Sequence, residues 1–341
     1  MIDRLVRNPV LSRELKERLR TRRATIVVTV YLGILSLILY ALYRAEEASS
    51  ADPFSGPVAS QAADVGRTMF EVLVLVMLGL VLFIVPGLTA DAVTGERERQ
   101  TLVPLQVTLL RPRAIVAGKL LASLAFVSLL VLATLPLFGI SFILGGVSVG
   151  QVAKGVAAVL ATGVVVASLS LLCSSLARRT QGAMVLAYGL ALFLAVGAPV
   201  LYVGQRSVDD SGAHPAPTVL LLNPFVATAD ALAPPTDGGG FGSSSPLAGM
   251  SQVVRGLETG FDDGQVIAEQ EFGDEQAGRG FAGPGQVVVL GDAGGRDQGS
   301  SDGLLGIPFW VRSLGVLGFL TVLSLLVATR RITTPSDRTA S

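Results

Sequence analysis

Residues 88–119 read LTADAVTGERERQTLVPLQVTLLRPRAIVAGK and lie between two long apolar segments. The stretch turns sharply polar at residues 94–100, TGERERQ, close to the end of the first apolar segment. After the N-terminal residues it is the only sizeable charged block in the first two hundred positions. Both flanking segments are long enough to cross a bilayer, so the stretch is a polar hinge between two membrane helices.

A short amphipathic helix is predicted inside this hinge. Thr101 is a good N-cap, and Pro104 falls in the first turn, where a missing N–H costs little. One face carries leucines at spacings of three and four, namely Leu102, Leu105 and Leu109. A loop that only joins two spans does not need such a face, whereas a helix pressed against a partner does. A plain charged connector remains the alternative.

The composition indicates a membrane protein that crosses the bilayer several times. Half of the 341 residues are hydrophobic and only 15% are charged. The 26 basic and 26 acidic residues cancel, but the two signs are segregated along the chain. A single cysteine, Cys173, cannot form a disulfide within the chain, and the single histidine, His214, belongs to no cluster that would hold zinc.

The first 23 residues carry eight Lys or Arg side chains. Three leucines line one face of a predicted helix at spacings of four, namely Leu11, Leu15 and Leu19. Most of the basic residues, such as Arg18, are expected to hold this helix at the cytoplasmic leaflet, near anionic lipid. A solvated basic tail that only fixes the topology is the alternative.

Six apolar segments are predicted to span the membrane. Their approximate bounds are residues 24–43, 68–90, 115–144, 154–177, 182–203 and 307–329. Lys and Arg are concentrated in the N-terminus, in the hinge, at residues 178–179 and in the C-terminal tail, which all lie on one side of the membrane. The positive-inside rule therefore puts both termini and the hinge in the cytoplasm.

Several polar or small residues of these spans have predicted roles. Glu71, near the outer mouth of the second span, is expected to be hydrated, with a place in a substrate path as the alternative. Lys119 is expected to extend its ammonium group to the inner headgroups. Small residues of the fourth span are expected to let another helix approach closely, namely Ala167, Ser168, Ser170, Ser174 and Ser175.

Residues 204–306 form a long segment between the last two spans. It holds 21 of the 39 glycines and fourteen acidic residues against four arginines, a composition expected to fold poorly on its own. Residues 220–225, LLLNPF, are apolar enough to pack on the membrane face. The acidic pairs Asp262-Asp263 and Asp274-Glu275 leave a calcium site open, although no twelve-residue ligand loop is present.

Catalytic motifs are missing from the sequence. No G-x-x-x-x-G-K-[ST] occurs, so the chain is not expected to bind or hydrolyse ATP itself. No G-x-S-x-G elbow occurs, and His214 has no arranged serine or cysteine partner. We therefore expect no enzyme activity, no cofactor or metal in this chain, and no nucleic-acid partner.

The hinge and the N-terminus resemble those of the permease subunits of type-2 ABC exporters. The matching residues are ERERQTL at 96–102, RP at 111–112, GKLL at 118–121 and NPVLSRELKERLR at 8–20. The family's loop typically reads E-x-E-x-G-T-L, a short apolar helix, a Pro and then G-K-L-L. Gln100 replaces the usual Gly, and Pro104 sits inside the helix.

The resemblance implies that the hinge holds a coupling helix that docks in a cleft of a separate ATPase subunit, which binds the ATP and Mg. The residues implied for this coupling are Glu96, Glu98, Thr101, Leu102, Leu105 and Leu109. The resemblance further implies a permease homodimer or heterodimer that exports an unidentified substrate across a prokaryotic plasma membrane. A membrane anchor or assembly protein, with an envelope-facing binding loop and no transport, is the alternative. A secondary transporter is the third possibility.

The predicted fold is an all-α integral membrane protein with six transmembrane helices. An amphipathic interfacial helix precedes them, and a large, partly flexible extracytoplasmic loop separates the last two. The segments are 1–23 for the amphipathic helix, 24–203 for spans one to five with a coupling loop at 91–113, 204–306 for the outer loop, 307–329 for span six and 330–341 for the cytoplasmic tail.

Overall fold

The computed structural model describes residues 22–49, 58–98, 100, 112–208, 218–232, 247, 250 and 308–333. Six helices within these residues are long and apolar enough to cross a membrane, and no strand occurs in them, which confirms the predicted fold class. The helices are α1 (Arg22–Ser49), α2 (Val58–Thr89), α3 (Thr94–Glu98), α4 (Pro112–Leu144), α5 (Val149–Leu176), α6 (Thr180–Leu192), α7 (Ala198–Val208), α8 (Pro224–Leu232) and α9 (Phe309–Thr333).

Two turns of other helical types adjoin these α-helices. A π-helical turn, Phe193–Gly197, joins α6 to α7 without a break, so that the two form one span. A 3₁₀ turn, Val219–Leu222, precedes α8. We call the end of the bundle at which α2 passes into α3 and α5 into α6 the basal end, and the opposite end the distal end.

The core of the bundle lies between α2, α4 and α5. Helix α2 contributes fully buried side chains such as Met77, Leu78 and Val81, and α5 packs against α2, α4, α6 and α9. Small residues allow these approaches: a Cβ added at Gly163 would lie 3.1 Å from Val127 of α4. The small residues predicted for close packing are all buried, namely Ala167, Ser168, Ser170, Ser174 and Ser175. That prediction is confirmed.

The outer surface of the bundle is apolar on every side. Exposed fractions reach 67% at Leu37 of α1, 84% at Ile143 of α4, 72% at Val185 of α6 and 68% at Phe319 of α9. Contiguous apolar surface of this extent is not stable in water, but it matches a surrounding of lipid tails. The arrangement is that of a protein whose helices face hydrocarbon.

Two glycines make the distal turn between α4 and α5. Gly145 and Gly146 have φ values of +93° and +77°, and a Cβ at Gly146 would collide with the carbonyl oxygen of Ala63. The Ser148 hydroxyl then accepts from the N–H of Gln151 at 3.2 Å, while the Gln151 amide oxygen accepts from the N–H of Ser148 at 2.8 Å. This capping box starts α5 at Val149, earlier than the predicted start at 154.

The 218–232 segment folds back into the distal end of the bundle. Asn223 is 1% exposed, its Oδ1 accepts from the N–H groups of Phe225 and Val226, and its Nδ2 donates to the Ala195 carbonyl at 2.9 Å. Ala195 lies in the π turn, where the wider ring leaves carbonyl groups open to other donors. Residues 220–225 were predicted to be apolar enough to pack on the membrane face; in the structure Leu220 and Asn223 are buried against the bundle.

Glu71 is also buried, at 3% exposure, and the prediction of a hydrated side chain is wrong. Its Oε1 pairs with Nε of Arg67 at 3.0 Å, and its Oε2 accepts from the backbone N–H of Leu247 at 3.1 Å. A buried carboxylate needs such partners. Leu247, itself 1% exposed, belongs to the long segment that was expected to fold poorly, so part of that segment packs on the core.

Candidate functional site

The polar hinge begins where α2 ends at the basal end of the bundle. Pro86 interrupts the hydrogen bonding of the last turns of α2, which ends at Thr89, and residues 90–93 form a turn before α3. Ala90, Ala92 and Val93 are nevertheless at most 5% exposed. The first part of the hinge is therefore part of the packed protein and is not a free loop.

Ser174 of α5 holds the start of α3. Its hydroxyl oxygen accepts hydrogen bonds from the N–H of Val93 at 3.0 Å and from the N–H of Thr94 at 3.2 Å. These two N–H groups lie at a helix start, where no partner exists within the helix, and all three residues are buried. Ser174 thereby ties the hinge to α5. Sequence reasoning had found only a small packing residue here.

Arg97 contacts the end of the same helix. Its Nη1 donates to the carbonyl oxygen of Ala177 at 2.9 Å, and Ala177 is the C-cap residue of α5. Carbonyl groups at a helix C-terminus carry partial negative charge and lack partners within the helix. The guanidinium group therefore meets a site that favours a cation.

Glu98 contacts the start of the next helix. Its Oε1 accepts from the N–H of Thr180, the first residue of α6, at 2.7 Å, and the N-cap residue Arg179 provides no side-chain cap of its own. The Thr180 N–H holds the pKa of the Glu98 carboxyl below its usual range, and the charge of Arg179 acts in the same direction. Glu98 thus caps α6 from a different part of the chain.

Glu96 reaches a third helix. Its Oε1 lies 3.6 Å from Nζ of Lys119, and Lys119 is 5% exposed within α4. The prediction that Lys119 extends to the headgroups is wrong, because its ammonium group turns inward to this carboxylate. Val93 adds an apolar contact on the same side, packing with Val116 of α4 and with Leu325 of α9.

Gln100 ends α3 in the left-handed region. Its φ is +57°, and its N–H donates to the Arg97 carbonyl at 3.1 Å. Glycine adopts this conformation without steric cost, whereas a side chain is strained there. The position is the one at which the related loops typically carry Gly, so the backbone geometry explains that preference.

The structure describes only two residues of the predicted coupling set. Glu96 and Glu98 lie together in α3, and both contact the bundle. The remaining predicted coupling residues, Thr101, Leu102, Leu105 and Leu109, lie outside the described residues, as do those predicted for the membrane-surface helix, Leu11, Leu15, Arg18 and Leu19. Among the residues that are described, no group of three or more His, Cys, Asp or Glu comes together to hold a metal ion.

A comparison with protein families agrees with this architecture. The family model described as "ABC-2 family transporter protein" matches residues 9–257, which include most of the N-terminal segment 1–23, five of the six spans, the hinge and the 218–232 segment. No curated protein matches the chain. Members of this family are membrane components that generally work with a separate ATPase subunit. The chain belongs to the ABC-2 family of transporter proteins and is a multi-pass permease of an ABC transporter.

Proposed function

We propose that the chain is the transmembrane permease subunit of an ATP-driven exporter, which moves a substrate outward across the plasma membrane. A separate ATPase subunit supplies the energy and binds the ATP and Mg. The basal end and both termini face the cytoplasm, which the distribution of Lys and Arg supports. Two permease subunits, identical or different, enclose the path.

The polar contacts of residues 93–98 with three helices are the observation that carries the proposal. Glu96 contacts α4, Arg97 and the N–H groups bonded to Ser174 contact α5, and Glu98 contacts α6. A loop that only linked two spans would need none of these contacts. An element that receives force from outside the membrane needs to be fixed to the helices that must move.

The coupling step follows from this geometry. The ATPase subunit docks on the apolar face of the predicted helix at residues 102–109. When ATP binding closes the ATPase subunits, they push on this helix, and the push passes through residues 93–98 into α4, α5 and α6 together. These helices then tilt as a body between inward-open and outward-open states.

The test replaces the apolar docking face. In the variant Leu105→Asp, Leu109→Asp, each replaced leucine loses roughly 1.5–3 kcal/mol of favourable free energy from its burial in the interface. Each new carboxylate is also unpaired there, so the binding free energy falls by several kcal/mol. Co-purification of the ATPase subunit in mild detergent and the permease-dependent ATPase rate should both fall. Membrane insertion should survive, because the substitutions lie in the polar hinge.

A control on the opposite face makes the test specific. With 3.6 residues per turn, Val107 lies opposite Leu105 and Leu109 on the predicted helix, so Val107→Asp should leave both readouts near those of the wild type. If the double variant co-purifies with the ATPase subunit and stimulates its ATPase rate as the wild type does, residues 102–109 are not the coupling element. If no ATPase subunit co-purifies even with the wild type, the non-transporting anchor becomes the better reading.

A further inference from the structure

A cavity of about 310 Å³ lies between α5, α8 and α9, towards the distal end of the bundle. Most of its wall consists of alanines and larger aliphatic side chains, such as Ala161 and Val165 of α5, Ala227 of α8 and Leu317 of α9. It is about twice as large as an apolar cavity of roughly 150 Å³ that stays dry and binds benzene. A space of this kind suits an apolar occupant.

The two threonines in the wall add no free hydroxyl donor. Thr162 donates to the Ala158 carbonyl at 2.9 Å, and Thr228 donates to the Pro224 carbonyl at 2.7 Å. Each hydroxyl is therefore occupied within its own helix. A polar substrate would lose hydrogen bonds on entering here, whereas a hydrocarbon chain would not.

The cavity is open at its distal end and along one side, and it is closed at its inner end. Among the lining residues Lys154 and Ala157 are exposed, Trp310 is 38% and Leu314 43% exposed, whereas Val165 and Leu317 are 7% and 4% exposed. From Lys154 to Val165, α5 rises by about 16 Å, at 1.5 Å per residue. That length is about half of the ~30 Å of a bilayer's hydrocarbon. The cavity is therefore about as deep as one leaflet.

Charge at the mouth favours an anion. Lys and Trp are the side chains that anchor proteins at the headgroup level, and an interfacial Lys attracts anionic lipid. Asp230 is the nearby carboxylate on α8, and its Oδ2 accepts from the N–H of Trp310 at 3.0 Å, at the start of α9. That contact engages the Asp230 carboxylate at a helix N-terminus, while Lys154 is exposed at the same end of the bundle.

We propose that this cavity binds one acyl chain of an anionic phospholipid from the leaflet at the distal end. The chain lies along α5 with its end near Val165 and Leu317, and the ammonium group of Lys154 pairs with the phosphate of the headgroup. This site is separate from the basal hinge, and its occupation requires neither ATP nor the ATPase subunit.

The test uses a phosphatidylglycerol probe with a diazirine at the end of one acyl chain, in phosphatidylcholine vesicles that contain the full chain. Light should attach the probe to peptides that contain Val165 or Leu317. Ala161→Phe fills the cavity and should abolish this labelling. Leu176→Phe, at an exposed position at the basal end of the same helix, should leave it unchanged.

Lys154→Gln tests the headgroup contact. Because Lys154 is exposed, the substitution should not disturb folding. Labelling by phosphatidylglycerol should fall about fivefold, the effect of one interfacial Lys on anionic lipid, while labelling by a phosphatidylcholine probe stays constant. Arg178→Gln, an equal loss of charge at the basal end, should change neither.

Three results would overturn the proposal. Labelling confined to outward-facing residues such as Phe319 would mean that only surrounding lipid is contacted. Wild-type labelling in Ala161→Phe would put the chain end elsewhere. If Lys154→Gln is labelled by phosphatidylglycerol as strongly as the wild type, Lys154 does not bind the headgroup. This result tests the proposal even if Ala161→Phe fails to fold.

Discussion

Replacing Ser174 by alanine should loosen the hinge from the bundle. The hydroxyl of Ser174 accepts from two backbone N–H groups, those of Val93 and Thr94, at 3.0 and 3.2 Å. Ser174 and Thr94 are fully buried and Val93 is 3% exposed, so water does not replace the lost acceptor. The substitution keeps the volume small and removes only the hydrogen bonds.

The size of the effect follows from the burial. Leaving a buried donor without a partner costs about 1–3 kcal/mol. If that cost raises the free energy of the closed hinge alone, local opening becomes about fivefold to 150-fold more frequent. Hydrogen–deuterium exchange of the peptide that covers residues 88–98, measured by mass spectrometry in one detergent, reports this opening directly.

Ser175→Ala is the matched control. Ser175 is 4% exposed and adjacent, but its hydroxyl donates to the Leu172 carbonyl within α5. Exchange of the 88–98 peptide should therefore stay at the wild-type rate. If Ser174→Ala and Ser175→Ala exchange at the same rate, Ser174 does not hold the hinge, and the Arg97 contact alone would connect the hinge to α5.

Three further outcomes are expected. Arg67→Ala should lower stability by about 1–3 kcal/mol, seen as a lower thermal midpoint in detergent, because it leaves the buried carboxylate of Glu71 without its cation; an unchanged midpoint would contradict the pairing. Gln100→Gly should raise stability by up to about 1 kcal/mol by relieving the positive φ, and a loss of stability would argue against that backbone geometry. In a background without the native cysteine, Ser244→Cys should react with an impermeant thiol reagent from outside and Ser336→Cys should not; the reverse pattern would invert the topology.

The spans could be predicted from the sequence because hydropathy is a local property. Each of the six apolar segments recurs in the structure as a long helix, and several of these helices extend beyond the predicted bounds, as α2 does by starting at Val58 and not at 68. At the start of α5, for example, the Ser148 hydroxyl and the Gln151 amide extend the helix beyond its most apolar part. Hydropathy averaged over a window does not register such a cap.

The contacts of the polar residues could not be predicted in the same way. Ser174 and Val93 are 81 residues apart, and Glu71 and Leu247 are 176 residues apart. A serine in a membrane helix has the same local pattern whether it only permits close packing or also accepts hydrogen bonds. A carboxylate near the end of a span is likewise hydrated or buried according to what folds over it, and that depends on distant residues.

The polar contacts of the hinge use groups that helices must satisfy in any case. The N–H groups of Val93 and Thr94 and the N–H of Thr180 belong to helix starts, and the carbonyl of Ala177 belongs to a helix end. Glu98 and Arg97 meet these ends with the charge that each favours. The contact with the start of α6 requires only a hydrogen-bond acceptor at position 98, and the contact with the end of α5 requires only a donor at position 97. Several residue types would meet each requirement. The turn at Gln100 differs, because its positive φ is set by the backbone and only glycine adopts it without steric cost.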